Sequence, residues 1–418
     1  MFKKCTALLL ALVLAVSLFP AVGVQAASDS TVPYTEYFSA EEWEVLKLVN
    51  KERNTAGLDP LTGFALLQEV AHIRAEELVE KFSHTRPNGS SCFSTYNEVG
   101  VDYHAAGENI AAGYYSAESV MVGWMNSDGH RDNILNGGFT SVGLGYWFED
   151  DGGYRHHWTQ NFLGFPYEFT NYHLVMPKGH IIPQGMSLDE LDIYLVLENA
   201  ADGYDHYLPL TEELVSGFTG ELGRTSVSFD LLGVSGSFEI SVVTAFDDVK
   251  ASDYYYDPVL WALDKGVTSG TSSTKFSPYD ACLRSQVVTF LWRAAGKPTA
   301  TSKDNPFVDV KPGDYYYDAV LWAVEKGITY GADSTHFEPN GVCNRSQVVT
   351  FLYRAFVNAP VDSTANPFTD VPAGEWYAAP VLWAVKEGIA YGLSATKFGP
   401  NDVCNRSQVV TFLYRAYN

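Results

Sequence analysis

Cysteine is scarce in this chain of 418 residues, which has five, and Cys5 lies ahead of the first apolar run. The other four, Cys92, Cys282, Cys343 and Cys404, make no disulfide framework for a protein this long. A disulfide among the last three would need Cα atoms within ~7 Å, and they read as small buried apolar side chains. Positive charge is scarce too: 27 Lys and Arg stand against 50 Asp and Glu, a net charge of −23. The chain as a whole repels nucleic acid and anionic membranes, so holding an anionic ligand requires a local basic group. A single apolar run of any length is present, Leu8 to Val24, too short for a comfortable membrane span of ~20 apolar residues.

That run follows Lys3 and Lys4, ends near Val24-Gln25-Ala26 and is succeeded by the polar Ser28 to Ser30, the pattern of a signal peptide over 1–26. Cys5 precedes the run, so cleavage does not expose it for lipid attachment. Export is therefore expected with no integral membrane segment after cleavage, and retention at a surface falls to a binding domain. Hydrophobic residues at 46% and aromatics at 14% are ample for the cores of several domains.

What the chain has in plenty is repetition. The segments FDDV, FVDV and FTDV open at Phe246, Phe307 and Phe368, a step of 61. The step holds for Asp248/Asp309/Asp370, Trp261/Trp322/Trp383, Gly270/Gly331/Gly392, Cys282/Cys343/Cys404 and Arg284/Arg345/Arg406. Each copy is one supersecondary unit, expected to stack on its neighbours in fixed geometry. The pattern predicts two helices per copy, a Val-Leu-Trp-Ala helix stopping at a glycine and a second reading SQVVTFLxRA. Asn344 and Asn405 can cap that second helix with Gln347 and Gln408 completing capping boxes, whereas Leu283 cannot cap. An arginine in the first turn opposes the helix dipole, so an acidic group is expected to offset it: Asp248, Asp309 or Asp370 within the protein, or a ligand carboxylate gripped by the arginine and the free helix N–H groups.

The F-x-D-V start, the tryptophan, the paired glycines and the R-S-Q helix start resemble the S-layer homology domain in three copies, 246–297, 307–357 and 368–418. The resemblance implies non-covalent attachment to a secondary cell-wall polysaccharide, often pyruvylated, in grooves between repeats. Its candidate glycan-binding residues are Arg284, Arg345 and Arg406, Asp248, Asp309 and Asp370, and Trp261, Trp322 and Trp383. The tryptophans lie in apolar helical stripes, which also suits a core position. The missing cap at Leu283 makes the second and third repeats the expected strong binders.

Upstream, residues 39–165 read as an α+β unit: two helices carry apolar residues at three- and four-residue steps, a shorter helix runs from Ala117 to Asn126, and a late hairpin turns at 149–153. Four segments stand in order here: FSHTRPNG from Phe82, GENIAAG from Gly107, VGWMNSDGHRDNIL from Val122 and HHWTQNF from His156. Together they resemble the CAP superfamily in its cysteine-poor, SCP-like extracellular bacterial branch, which implies an α-β-α sandwich. His84, Glu108 and His130 match three of the four residues that converge on the family's cleft, and Ser127 stands where the second glutamate would be. Two imidazoles and a carboxylate are a possible catalytic set, and a possible zinc site with water in the fourth position. They serve equally as a hydrogen-bond network. His72, on the apolar-striped helix, reads as a core histidine, and His156 and His157 point to opposite faces of a strand.

Between the two parts, 167–244 holds β-prone runs, and its close, GVSGSFEISVV, resembles the last strands of bacterial immunoglobulin-like domains. The expected chain is thus a multidomain envelope protein: a CAP domain, an all-β immunoglobulin-like sandwich as spacer, and three mainly α-helical S-layer homology repeats. The CAP domain is read as binding a surface ligand of unknown identity. A metal-dependent hydrolase, acting as a protease or on the wall, and a lipid- or sterol-binding module are the alternatives, and the sequence leaves the question of enzyme activity open.

Overall fold

A computed structural model describes residues 33–150, 153–199, 203–357 and 366–418. The expected signal peptide and most of the connector Asn358 to Pro367 lie outside the described residues. The chain divides into two compact units, the first holding the chain through Val175 together with Tyr194–Leu208.

In the first unit, α1 (Ala40–Thr55) starts at a full capping box in which Ser39 and Glu42 bond each other's backbone N–H. Trp43, Leu46 and Val49 are buried along it. Then come β1 (Gly63–Phe64), α2 (Ala65–Glu80), α3 (Ser94–Val99), β2 (Ala105–Ala112), α4 (Ala117–Met125), α5 (Asp128–Ile134), β3 (Ser141–Phe148) and β4 (His156–Gly164). Strand β4 lies central in an antiparallel sheet of order β2-β4-β3. Helix α2 approaches β3 so closely that a Cβ on Gly143 or Gly145 would lie 2.1 or 2.2 Å from the carbonyl oxygens of Leu67 and Ala71. The Gln68 amide clamps this contact by bonding both the N–H and the C=O of Leu144.

The strands of 167–244 do not form one self-contained spacer. Strands β5 (Phe169–Val175), β7 (Tyr194–Asn199) and β8 (Asp205–Pro209) join β1 in a sheet of order β1-β8-β7-β5, while β6 (Ile181–Pro183), β10 (Val234–Val243) and β9 (Gly223–Leu231) make a separate one. The reason is aromatic burial. Tyr194 and Tyr207 enter the core of Trp43 and Trp124, and Phe64, Tyr167 and Phe169 surround His206 at 4.8, 4.4 and 5.1 Å. Rings of this size bury more surface against an existing core than a thin sandwich offers.

The second unit includes β6, β9 and β10 and the three repeats. Two helices per repeat follow among the described residues: α6 (Tyr256–Asp264) and α7 (Arg284–Ala294), α8 (Tyr317–Glu325) and α9 (Arg345–Phe356), α10 (Ala378–Lys386) and α11 (Arg406–Tyr417). The repeats do not stack in a line. Helix α7 packs on α8, α9 on α10, and α11 back on α6, closing a ring. At its centre the Cys282 N–H donates to Cys404 O (3.0 Å), Cys343 to Cys282 O (3.0 Å) and Cys404 to Cys343 O (2.9 Å). The three thiols are free and fully buried, and burial pushes Cys282 and Cys343 up to about 12 and Cys404 upward as well.

The contact of α2 with β3 yields the first prediction. Gly143→Ala should destabilise the protein by at least ~1–3 kcal/mol, the usual cost of overpacking, because the obstacle is backbone; a urea midpoint that does not move would contradict this packing.

Candidate functional site

Each repeat starts its second helix on an arginine whose side chain crosses into the next repeat. Asn344 and Asn405 form complete capping boxes with Gln347 and Gln408. At Leu283 the side chain has no acceptor, and only the half from Gln286 forms, its amide oxygen accepting the Leu283 N–H at 3.0 Å. Arg284 Nε donates to Phe337 O (2.9 Å), Arg345 Nε to Phe398 O (3.2 Å) and Arg406 Nε to Phe276 O (2.9 Å). Each guanidinium is sandwiched over two phenylalanine rings at 4.7 to 5.6 Å, as with Arg345 between Phe398 and Phe412. All three are buried, and burial lowers their pKa.

Two groups proposed as glycan ligands serve the fold instead. Asp248 accepts the N–H groups of Phe276 and Ser277, Asp309 those of Phe337 and Glu338, and Asp370 those of Phe398 and Gly399. Both oxygens of each carboxylate therefore bind their own repeat; among the described residues none forms a salt bridge with the arginines, though Asp309 and Asp248 favour the charge of Arg284 and Arg406 from a distance. Trp261, Trp322 and Trp383 are 6% exposed, drawn inward by the apolar stripe of their helices, and line neither groove described next.

Those grooves lie between repeats. One cavity of about 250 Å³ is lined by Thr268, Gln286 and Arg293 of the first repeat, Tyr315 of the second and Arg406 of the third. Its counterpart of about 420 Å³ is lined by Thr329, Gln347 and Arg354, with Trp376 of the third repeat and Arg284 of the first. Tyr315 and Trp376 are 58% and 56% exposed; with Tyr254 they share the step of 61, a signal that sequence reading passed over for the more prominent tryptophans. Arg284 Nη2 and Arg406 Nη2 are buried with no hydrogen-bond partner among the described residues.

In the first unit Glu108, on β2 opposite Asn161 of β4, lies at the centre of a buried network. His84 Nδ1 is 2.8 Å from its Oε1, and Arg74 Nε of α2 donates to its Oε2 at 2.7 Å. Arg74 also bonds Glu77 and Ser83 O, and Arg86 bonds Glu77 and Glu98. Burial pushes the Glu108 carboxyl up, but the bonds from His84 and Arg74 outweigh it and hold it below its ordinary value. The His84 side chain is 56% exposed. His130, on α5, is half-buried, and burial followed by the charge of nearby His84 lowers its pKa. Ser127 precedes α5 without capping it.

The expected metal set of His84, Glu108 and His130 is not the one that converges. Among the described residues His84, Cys92 and Glu108 bring possible ligand atoms within 4.8 Å of one another. The Cys92 thiol is pushed up to about 11 by burial and by Glu108, so it is protonated and a poor nucleophile. Arg74 already neutralises Glu108, and a divalent cation there would meet a buried guanidinium. The donor set fits zinc poorly. Two flanking histidines also differ in role: His156 bonds the Tyr146 hydroxyl (2.8 Å), while His157 is buried, its Nδ1 without a partner among the described residues. His72 is not a core residue, being exposed and bonded at 2.9 Å to the buried Glu42.

The cysteine-rich secretory protein family, CAP, matches residues 46–162, and the S-layer homology domain matches 245–288, 306–349 and 367–410. The chain carries one CAP domain and three S-layer homology domains. It is 39% identical to the uncharacterized protein YkwD of Bacillus subtilis over 33% of this chain and 52% of that protein. It is 29% identical to the Surface-layer 125 kDa protein of Lysinibacillus sphaericus over 40% of this chain and 14% of that one. A solved extracellular protein containing a SCP domain from Bacillus anthracis is 30% identical, with 29% of this chain and 40% of that chain covered and a TM-score of 0.27. The chain spans about half the length of YkwD and less of the others. With its S-layer homology domains and S-layer relatives it is a bacterial cell-surface protein held at the cell wall.

Two outcomes follow from these carboxylates. Asp309→Ala orphans the part-buried Phe337 N–H, while the exposed Glu338 N–H can turn to water, and should cost about 1–3 kcal/mol, read as a lowered thermal midpoint with groove binding intact at low temperature. Glu108→Gln leaves Arg74 buried and should cost about 3–5 kcal/mol at neutral pH. A carboxyl depressed on folding stabilises above its unfolded value and loses that contribution as pH falls through its folded one. The gap between wild type and Glu108→Gln in denaturant titrations should therefore be full above pH 4.5 and shrink below it.

Proposed function

We propose that the repeats hold this protein on the bacterial wall by seating carboxylate-bearing sugars of a secondary wall polysaccharide in the grooves between them, and that the CAP domain so displayed binds a surface ligand. The observation that carries the first half is that Arg284 and Arg406, which line the two grooves, each keep a buried Nη2 without a partner among the described residues. A buried donor left without an acceptor is costly, and a ligand carboxylate would supply a charge-assisted bond. The exposed rings of Tyr315 and Trp376 beside it offer flat faces on which sugar rings can stack. On a chain of net charge −23 these grooves supply the local positive charge that an acidic polymer requires.

For the CAP domain the saturated Glu108 favours a binding cleft without metal chemistry. A second reading, hydrolysis, draws on one feature: Glu108 holds His84 by Nδ1 while most of that side chain faces solvent, the arrangement of an oriented general base. Incubating the full chain with envelope extract separates the two. A ligand captured unchanged supports the binding reading, whereas a product that forms with wild type but not with His84→Ala supports the other. For the anchor, the full chain should sediment with wall sacculi and not with sacculi stripped of polysaccharide by hydrofluoric acid. Arg284→Ala with Arg406→Ala should abolish sedimentation; undiminished sedimentation of that double variant would overturn the anchoring site.

A further inference from the structure

Resting on wall attachment through the grooves, we propose that only two of the three accept the ligand carboxylate, and that the groove around Arg345 is closed by the protein's own backbone. Arg345 Nη2 donates to Tyr391 O at 2.7 Å. The residues at the equivalent places, Ser269 and Tyr330, leave the Nη2 atoms of Arg406 and Arg284 without a partner among the described residues. The carbonyl of Tyr391 thus takes the position that a carboxylate oxygen takes in the other two grooves.

The cause lies in one turn. The peptide joining each of these residues to the next is oriented by the φ of the following glycine. Gly270 and Gly331 are left-handed, at φ +85° and +86°, whereas Gly392 lies outside that region. All three positions are glycine, so the difference arises further along. In the third copy Leu393 lies over Gly399, its Cδ1 2.6 Å from where a Cβ on that glycine would be. The other copies have Thr271 or Ala332 in place of Leu393, and Ser277 or Glu338, both with φ near +58°, in place of Gly399. A bridge between Ser394 and Lys397 belongs to this rearranged turn. Leu393 with Gly399 thus sets the turn that rotates the Tyr391 carbonyl onto Arg345. The ranking of repeats expected from helix capping changes accordingly: Arg284, behind the uncapped Leu283, is open, and Arg345, behind a full capping box, is occupied.

Calorimetric titration of the full chain with a methyl hexoside bearing a 4,6-linked pyruvate ketal tests this. Two sites per chain are expected; Arg284→Lys and Arg406→Lys should each remove one, since lysine keeps the charge and loses the fork, and Arg345→Lys should leave both. Giving the third copy the residues of the second, Leu393→Ala with Gly399→Glu, should raise the count to three. Three sites in the wild type, or loss of one on Arg345→Lys in a variant with an unchanged thermal midpoint, overturns the proposal. No sites with sedimentation on sacculi intact overturns it and leaves the anchor standing. No sites and no sedimentation overturns both.

Discussion

The second unit depends on a guanidinium buried across a repeat boundary. Removing a charge from water costs several kcal/mol; acids such as Glu338 and Asp309 near Arg284 act on it only through charge, and among the described residues no salt bridge compensates directly. A carbonyl from the next repeat and two phenylalanine faces do so instead, and these acceptors exist only when the neighbouring repeat is folded and docked. Each arginine therefore makes folding of its own repeat conditional on the next, and the Arg406 bond to Phe276 O makes the third conditional on the first. A ring held in this way has no free end to fray, unlike a linear array stabilised by nearest neighbours alone.

The CAP domain solves the same problem differently. Arg74 and Glu108 are both buried, but they neutralise each other, and the surplus donors of Arg74 go to Glu77 and Ser83 O. The pair fixes where His84 stands. A carboxylate that accepts from Arg74 on one oxygen and lies against His84 on the other is fixed in place, and a divalent cation added there would meet the guanidinium.

Helix-period patterns placed α1, α2 and α4 well, because an apolar stripe leaves a helix only one face to bury. The hairpin of β3 and β4 was legible for a similar reason, with acids and glycines at the turn and strands on either side. Arg284, Arg345 and Arg406 were found because they recur at a fixed step. What the sequence concealed depends on partners remote along the chain. Nothing local to Asp309 says that its acceptors face Phe337 and Glu338 N–H groups rather than a ligand, and nothing local to Cys282 says that its N–H meets Cys404. The strands of 167–244 were visible as strands, but their division between two sheets is decided by the aromatic surface of Trp43 and Phe64, which a reading of that segment alone does not weigh.

The strongly negative charge of the chain then takes on a different meaning. At physiological salt, repulsion between the protein and an acidic polymer is screened beyond ~8 Å, so it governs approach more than the bound state. Once the sugar is in a groove, the decisive charges are those within hydrogen-bonding distance, and there the local dielectric is lower and each donor counts for more. Surface lysines would be a poor solution, being weakened by salt. Arg284 and Arg406, buried against phenylalanine at the edge of a groove, keep their positive charge where screening is least effective. The same burial that ties the repeats together is thus what lets an acidic protein hold an acidic ligand.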